Sequence, residues 1–219
     1  MTQQRNTVLS ATAIALAFAV STASAAFIVQ PTSATASSSY QTRTPAKAID
    51  GTGLDDATVV ETDDPVPDTW PAHSTSRFDN WLDNGEGGDE SGAGAPEITF
   101  DLGQEYLLSS IRVWNHNERS DRAVKDVNIT FSTDGTTWAN LLATTFPEPS
   151  KDPTYTGFDV SLSSITARYI EFDVQNNYGT NAYTGHSEVR FVAIPEPATG
   201  GLLGLIVTAL LGRRGRHRA

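Results

Sequence analysis

The sequence predicts an all-β fold, an antiparallel jelly-roll β-sandwich. Three observations carry that prediction. From Glu97 onward apolar and polar residues alternate with period two, Asp134-Gly135 is a tight-hairpin signal, and no segment repeats apolar residues at helical spacing. Short strands joined by turns, without helical crossovers, bury their apolar sides by packing sheet on sheet.

In chain order, residues 1–25 read as a signal peptide. Arg5 precedes an apolar run from Val8 to Val20, and Ala23-Ser24-Ala25 fits an Ala-x-Ala-like cleavage rule, so the mature chain is expected to begin near Ala26. Residues 26–45, rich in Ser, Thr and Ala, form a lead that carries either a first strand around Phe27 and Val29 or no regular structure. Residues 55–94 read as loop, because Asp63-Asp64-Pro65-Val66-Pro67-Asp68 and the glycines from Gly85 to Gly92 interrupt any ladder. Loops this long in a compact domain usually serve function or are partly disordered.

The strands follow. Ile98, Phe100 and Leu102 alternate with Glu97, Thr99 and Asp101, and Asp101-Leu102-Gly103 reads as a strand end at a turn. Ile111 and Val113 flank Arg112, and Trp114 continues that strand into the core. Val127, Ile129 and Phe131 lead to the Asp134-Gly135 turn, with Trp138 and Leu141 on the returning side. Phe158, Val160 and Leu162, then Ile170, Phe172 and Val174, then Val189 and Phe191 complete the set. Arg168, at the start of a buried strand, is expected to pair with a carboxylate.

The C-terminus reads as an address. Ile194-Pro195-Glu196-Pro197-Ala198 precedes an uncharged stretch, followed by Arg213-Arg214-Gly215-Arg216-His217-Arg218. The 14 residues from Ala198 to Leu211 fall short of the roughly 20 apolar residues that cross a bilayer, and the arginines resist translocation. This order resembles the PEP-CTERM sorting signal of Gram-negative bacteria. The resemblance implies a short transmembrane helix held transiently in the inner membrane, an exosortase that cuts near the Pro-Glu-Pro, and export to the cell surface or extracellular matrix. Residues 194–219 are therefore assigned to a sorting tail.

Between Ala26 and Pro195 there are 25 acidic side chains against 10 Lys and Arg, a balance of −15, beside −11 for the whole chain. Such a surface repels nucleic acid and anionic headgroups and favours divalent cations and neutral or basic partners. No cysteine is present, which excludes disulfides and thiolate metal sites.

Several segments are also specific words. Ala46-Lys47-Ala48-Ile49-Asp50-Gly51, Ile98-Thr99-Phe100-Asp101-Leu102-Gly103, Ser110-Ile111-Arg112-Val113-Trp114, Phe131-Ser132-Thr133-Asp134-Gly135-Thr136-Thr137-Trp138, Ala167-Arg168-Tyr169-Ile170-Glu171-Phe172 and Ser187-Glu188-Val189-Arg190-Phe191 resemble the discoidin, or coagulation factor V/VIII C-type, domain. That family includes galactose-binding-like carbohydrate-binding modules, and the resemblance assigns residues 46–193 to one such domain. The sequence departs from the family after Gly51, where about 18 residues precede Thr69-Trp70. The resemblance implies a structural calcium held by the side chains of Asp50 and Glu188, with the carbonyls of Lys47, Thr52 and Ser187 contributing. Hard oxygens of this kind suit calcium.

A glycan or polysaccharide is the expected ligand. Aromatic faces cover the C–H side of a sugar, while His, Asn and Arg bond its hydroxyls. The candidates at or between strand ends are Trp70, His73, His116, Asn117, Arg119, Tyr178 and Tyr183. Glu118 belongs to the same loop. Catalysis has no motif to rest on: Gly-x-Ser-x-Gly, His-Glu-x-x-His and phosphate-cradling glycine loops do not occur, and His73, His116, His186 and His217 lack metal-ligand spacing. The expectation is an exported, non-enzymatic carbohydrate-binding protein; the alternative is a matrix or envelope protein that uses the fold for protein contacts. An aromatic platform beside a concave loop surface distinguishes the first from the second.

Overall fold

The computed structural model describes residues 25–85, 96–179 and 182–195. The signal-peptide and sorting-tail assignments lie outside them, apart from residues 25, 194 and 195. Eight antiparallel strands form the domain: β1 (Phe27–Val29), β2 (Ser33–Ala36), β3 (Trp81–Leu82), β4 (Glu97–Asn115), β5 (Asp126–Ser132), β6 (Ala139–Thr145), β7 (Phe158–Val174) and β8 (Gly185–Ala193). Their order is β1-β8-β4-β7-β5-β6, with β2 added to β4 and β3 to β8. The all-β prediction holds, and the lead does contribute strands.

Two strands are longer than the alternation suggests. Residues 97–102 and 111–113 belong to one 19-residue strand, and residues 158–162 and 170–174 to one of 17 residues. Asp101-Leu102-Gly103 is not a strand end. Gly103 takes φ +85°, a conformation glycine adopts without steric cost, and the β4–β7 register shifts between Asp101 and Tyr106 while the strand continues. Such a bulge bends a strand without ending it. The N-terminal half of β4 thus pairs with β2 and the end of β7, and its C-terminal half with β8 and the start of β7. Bent strands shared in this way fold the sheet over a single core.

The core lies between the two halves. Phe100 meets Phe172 at 5.2 Å and Phe191 at 5.8 Å in edge contacts, and Phe146 meets Phe172 at 5.5 Å. Trp81, Trp114, Ile98, Ile111, Ile129 and Ile170 are fully buried around them. Burying each such side chain stabilises the fold by about 1.5–3 kcal/mol. Trp114 is core, as expected. Trp138 covers Tyr169 at the hairpin but stays partly exposed. Arg168 forks onto Asp101 through bonds of 2.9 and 3.0 Å, matching the carboxylate pairing expected for it.

Residues 70–73 of the long loop are pinned. Trp114 Nε1 donates to Pro71 O at 2.9 Å, and Asn117 Nδ2 donates to His73 O at 3.0 Å and to Asp152 O at 2.8 Å. The Arg112 guanidinium lies over the rings of both Trp70 and Trp114, at 5.1 and 5.6 Å. These contacts hold residues 70–73 beside the end of β4.

Candidate functional site

Three loops meet at the end of the sandwich where β4 finishes and β8 begins. The first is the turn Tyr40–Arg43, tied to β3 by Tyr40 N–H to Leu82 O (2.7 Å) and Leu82 N–H to Arg43 O (3.3 Å). The second is the segment 74–80, shaped by Ser74 Oγ donating to Asp79 (2.8 Å) and accepting from Ser76 N–H (3.1 Å). It presents Arg77 and Phe78 outward. The third runs from His116 to Arg122. Asn115 fixes its start, accepting from His116 N–H and donating to Val124 O and Pro147 O. Local side-chain bonds of this kind give loops one conformation.

Between the loops is a pocket of about 400 Å³, walled by Tyr40–Arg43, Arg77, Phe78, Glu118, Arg119 and Arg122. Phe78 is 55% exposed with the Arg77 guanidinium 4.7 Å from its ring centre. An exposed aromatic at a pocket rim is the apolar platform a sugar face requires.

The pocket's inner wall is polar and incompletely bonded. Glu118 Oε2 lies 3.5 Å from Arg43 Nη1, 3.9 Å from His116 Nε2 and 4.0 Å from Arg122 Nη1. None of these separations is a hydrogen bond. Glu118 Oε2, Arg43 Nη1, His116 Nε2 and Arg122 Nε are all buried without a hydrogen-bond partner. Burial lowers the His116 pKa to about 3, helped by Arg43 and Arg122. Its ring is neutral, and because Nδ1 accepts the Arg119 N–H at 3.3 Å, the proton sits on Nε2, facing Glu118. Burial also lowers the Arg43 pKa, with Glu118 opposing.

Of the seven predicted sugar contacts, the structure brings Arg119 to the pocket, His116 to the cluster behind it and Tyr183 to its support. Tyr183 stands edge-on to Tyr40 at 5.0 Å with the Arg122 guanidinium 5.3 Å from its ring centre. The other four do not line the pocket. Trp70 packs edge-on to Trp114 at 5.7 Å, His73 is buried between Ser74 O and Thr52 O, and Asn117 ties three loops together. Tyr178 donates its hydroxyl to Phe146 O at 2.6 Å. Loop aromatics and polar groups served here as clamps. Phe78, Tyr40, Arg43, Arg77 and Arg122 were missed; the signal for them was four arginines in three loops of an acidic chain.

The positions expected to hold calcium converge. Glu188 Oε2 accepts Gly51 N–H at 2.9 Å, and Asp50 Oδ1 accepts Thr52 N–H at 2.8 Å. Each carboxylate already carries a cation, however. Lys47 Nζ is 3.2 Å from Asp50 Oδ2, and Arg190 Nη1 donates to Glu188 Oε1. Of the carbonyls expected to contribute, Thr52 O faces His73 Nε2. This donor set is charge-compensated from within and does not fit a calcium ion as arranged. Among the described residues no group of three or more His, Cys, Asp or Glu is placed to hold a metal.

The F5/8 type C domain model matches residues 33–189, and the chain belongs to that family. Comparison with curated protein sequences gives no match. Among solved structures, the chain is similar to the family 32 carbohydrate-binding module of NanJ from Clostridium perfringens, solved with galactose. The two share 17% identity at a TM-score of 0.53, covering 76% of this chain and 98% of that one. It is similar also to CpGH89CBM32-5 from the same organism, solved with GalNAc-β-1,3-galactose, at 14% identity, TM-score 0.52, and 74% and 94% coverage. A third is CBM32-3 of a family 31 glycoside hydrolase from Clostridium perfringens, at 18% identity, TM-score 0.52, and 72% and 87% coverage.

Proposed function

We propose that this chain is an exported, non-enzymatic carbohydrate-binding protein whose glycan site is the pocket between the Tyr40–Arg43 turn, Arg77-Phe78 and the 116–122 loop. One observation carries the reading: exposed Phe78 stands at the rim of a pocket whose buried donors and acceptors lack partners. A sugar face stacks on such a ring while its hydroxyls complete the polar wall. The sugar-bound modules of similar fold support the same reading. Delivery to the cell surface or matrix follows from the signal peptide at 1–25 and the sorting tail at 194–219, processed by an exosortase.

An open pocket buries little of a single sugar, so one site binds weakly, at roughly millimolar Kd or about −4 kcal/mol. Display of many copies on one surface raises the effective affinity. The test is retention of the full-length chain on a panel of polysaccharide gels, beside Phe78→Ala. The variant is expected to lose retention at an unchanged melting temperature. Equal retention of both proteins on every glycan the parent binds would overturn the site, and no retention of the parent would overturn the function. Intact mass of the protein from an exosortase-bearing host is expected to lack the residues beyond the Pro-Glu-Pro.

A further inference from the structure

We propose that the glycan taken by this pocket is anionic, bearing carboxylate or sulfate groups; the proposal rests on the carbohydrate reading above. The argument is a local imbalance of charge. Arg43 and Arg122 face one carboxylate, Glu118, at 3.5 and 4.0 Å, and Arg77 lines the same pocket. Among the described residues Arg77 has no ion pair. Elsewhere the described arginines are all closely paired, and so is Lys47, leaving only Lys125 and Lys151 without an ion pair among the described residues: Lys47 with Asp50 at 3.2 Å, Arg112 with Asp159 at 3.1 Å, Arg119 with Asp121 at 2.5 Å, Arg168 with Asp101 at 2.9 Å, and Arg190 with Glu188.

A chain with 26 acidic residues has carboxylates to spare, yet only one reaches this pocket. The surplus is two positive charges, and it coincides with buried donors, Arg43 Nη1 and Arg122 Nε, that have no hydrogen-bond partner. A neutral hydroxyl would satisfy a donor but leave the charge. A carboxylate or sulfate supplies acceptors and the opposing charge together, and a planar guanidinium matches either with paired N–H groups. Phe78, against Arg77, would cover the ring that carries the anion. Whole-chain charge thus argues for neutral or basic partners, while this pocket argues the reverse locally.

The test uses the full-length chain on two immobilised pairs, polygalacturonate with its methyl ester and dextran sulfate with dextran, and on a neutral galactan. Within each pair the backbone is kept and the charge removed. Binding is expected to be about tenfold or more tighter to the charged member of at least one pair, and to weaken as salt is raised. Polygalacturonate alone identifies the carboxylate, dextran sulfate alone the sulfate. Arg77→Gln, on an exposed side chain, is expected to reduce the preference several-fold, and Lys151→Gln, away from the pocket, to leave it intact. Equal binding to charged and neutral members, or retention only on a neutral galactan, overturns the anionic ligand while leaving carbohydrate binding in place. Retention on none of these gels overturns both, and an Arg77→Gln protein with full preference overturns the role of this pocket.

Discussion

Two arginine–glutamate groups in this domain, one fully buried and one half-buried at the pocket, are built differently. In the first, Arg190 donates to Glu188, to Val60 O at 2.8 Å and to Val189 O at 2.8 Å, while Glu188 also accepts Gly51 N–H. Burial raises the Glu188 pKa to about 8, against the pull of Arg190. In the second, Arg43, Arg122 and His116 surround Glu118 without a hydrogen bond to it, and four polar atoms are left over. A satisfied buried network joins loop to strand and specifies the fold, whereas an unsatisfied one at a pocket leaves donors and acceptors open to whatever enters it.

The sharpest way to break this comparison is Arg190→Ala. It removes the guanidinium bonded to Glu188, Val60 O and Val189 O, leaves those buried acceptors without a donor, and is expected to cost about 3–5 kcal/mol, a fall in melting temperature of about 10 °C or more for a domain of this size. A melting temperature within two or three degrees of the parent, roughly 1 kcal/mol, would make the two groups alike.

Acid comes next. Burial depresses the pKa of His186, like that of His116, to about 3. A neutral native ring and an unfolded pKa near 6.5 mean that the unfolded state takes up the proton first. Stability is therefore complete above pH 6.5 and falls as pH drops toward 3, by about 1.4 kcal/mol per unit for each ring. His186 packs against Trp81, Phe100 and Phe172 with neither nitrogen bonded. His186→Phe is expected to remove about 3 kcal/mol of the loss between pH 6 and pH 4, read from denaturant melts at both pH values. An unchanged acid loss would show that His186 is not held neutral.

At the pocket, Arg43→Met is expected to change stability by less than about 1 kcal/mol, because it removes a donor that had no acceptor, and yet to abolish glycan retention. A large loss of stability would give this arginine the same structural role as Arg190. The smallest effect is expected from chelation. With Lys47 and Arg190 as the cations at Asp50 and Glu188, EDTA should leave the melting temperature unchanged. A drop of several degrees would show that calcium displaces them.

The fold was legible because half-buried strands carry their pattern locally: Ile98-Phe100-Leu102 and Val127-Ile129-Phe131 each name a face. What the pattern could not show was continuity. Asp101-Leu102-Gly103 has the chemistry of a turn, and only the pairing of Tyr106 with Ala167 reveals a bulge inside one strand. The site was legible at 116–119, where polar residues follow a strand end. It was not legible at Arg43 and at Arg77-Phe78, which lie 34 residues apart and 40 or more from Glu118 and become neighbours only through tertiary packing. Trp70 and His73 misled for the same reason, since nothing local distinguishes an aromatic that clamps a loop from one that meets a ligand.

The pairing of β1 with β8 matches Phe27 with Ala193, so the domain's chain ends lie side by side. The pocket is at the other end of β8, beside Tyr183 and the partners of Gly185, about 25 Å away for a strand of this length. Any attachment made through either end holds the pocket outward. A tug between a bound polymer and that attachment then runs along β8, loading its ladders with β1 and β4 in shear, so that many hydrogen bonds resist together instead of opening one at a time.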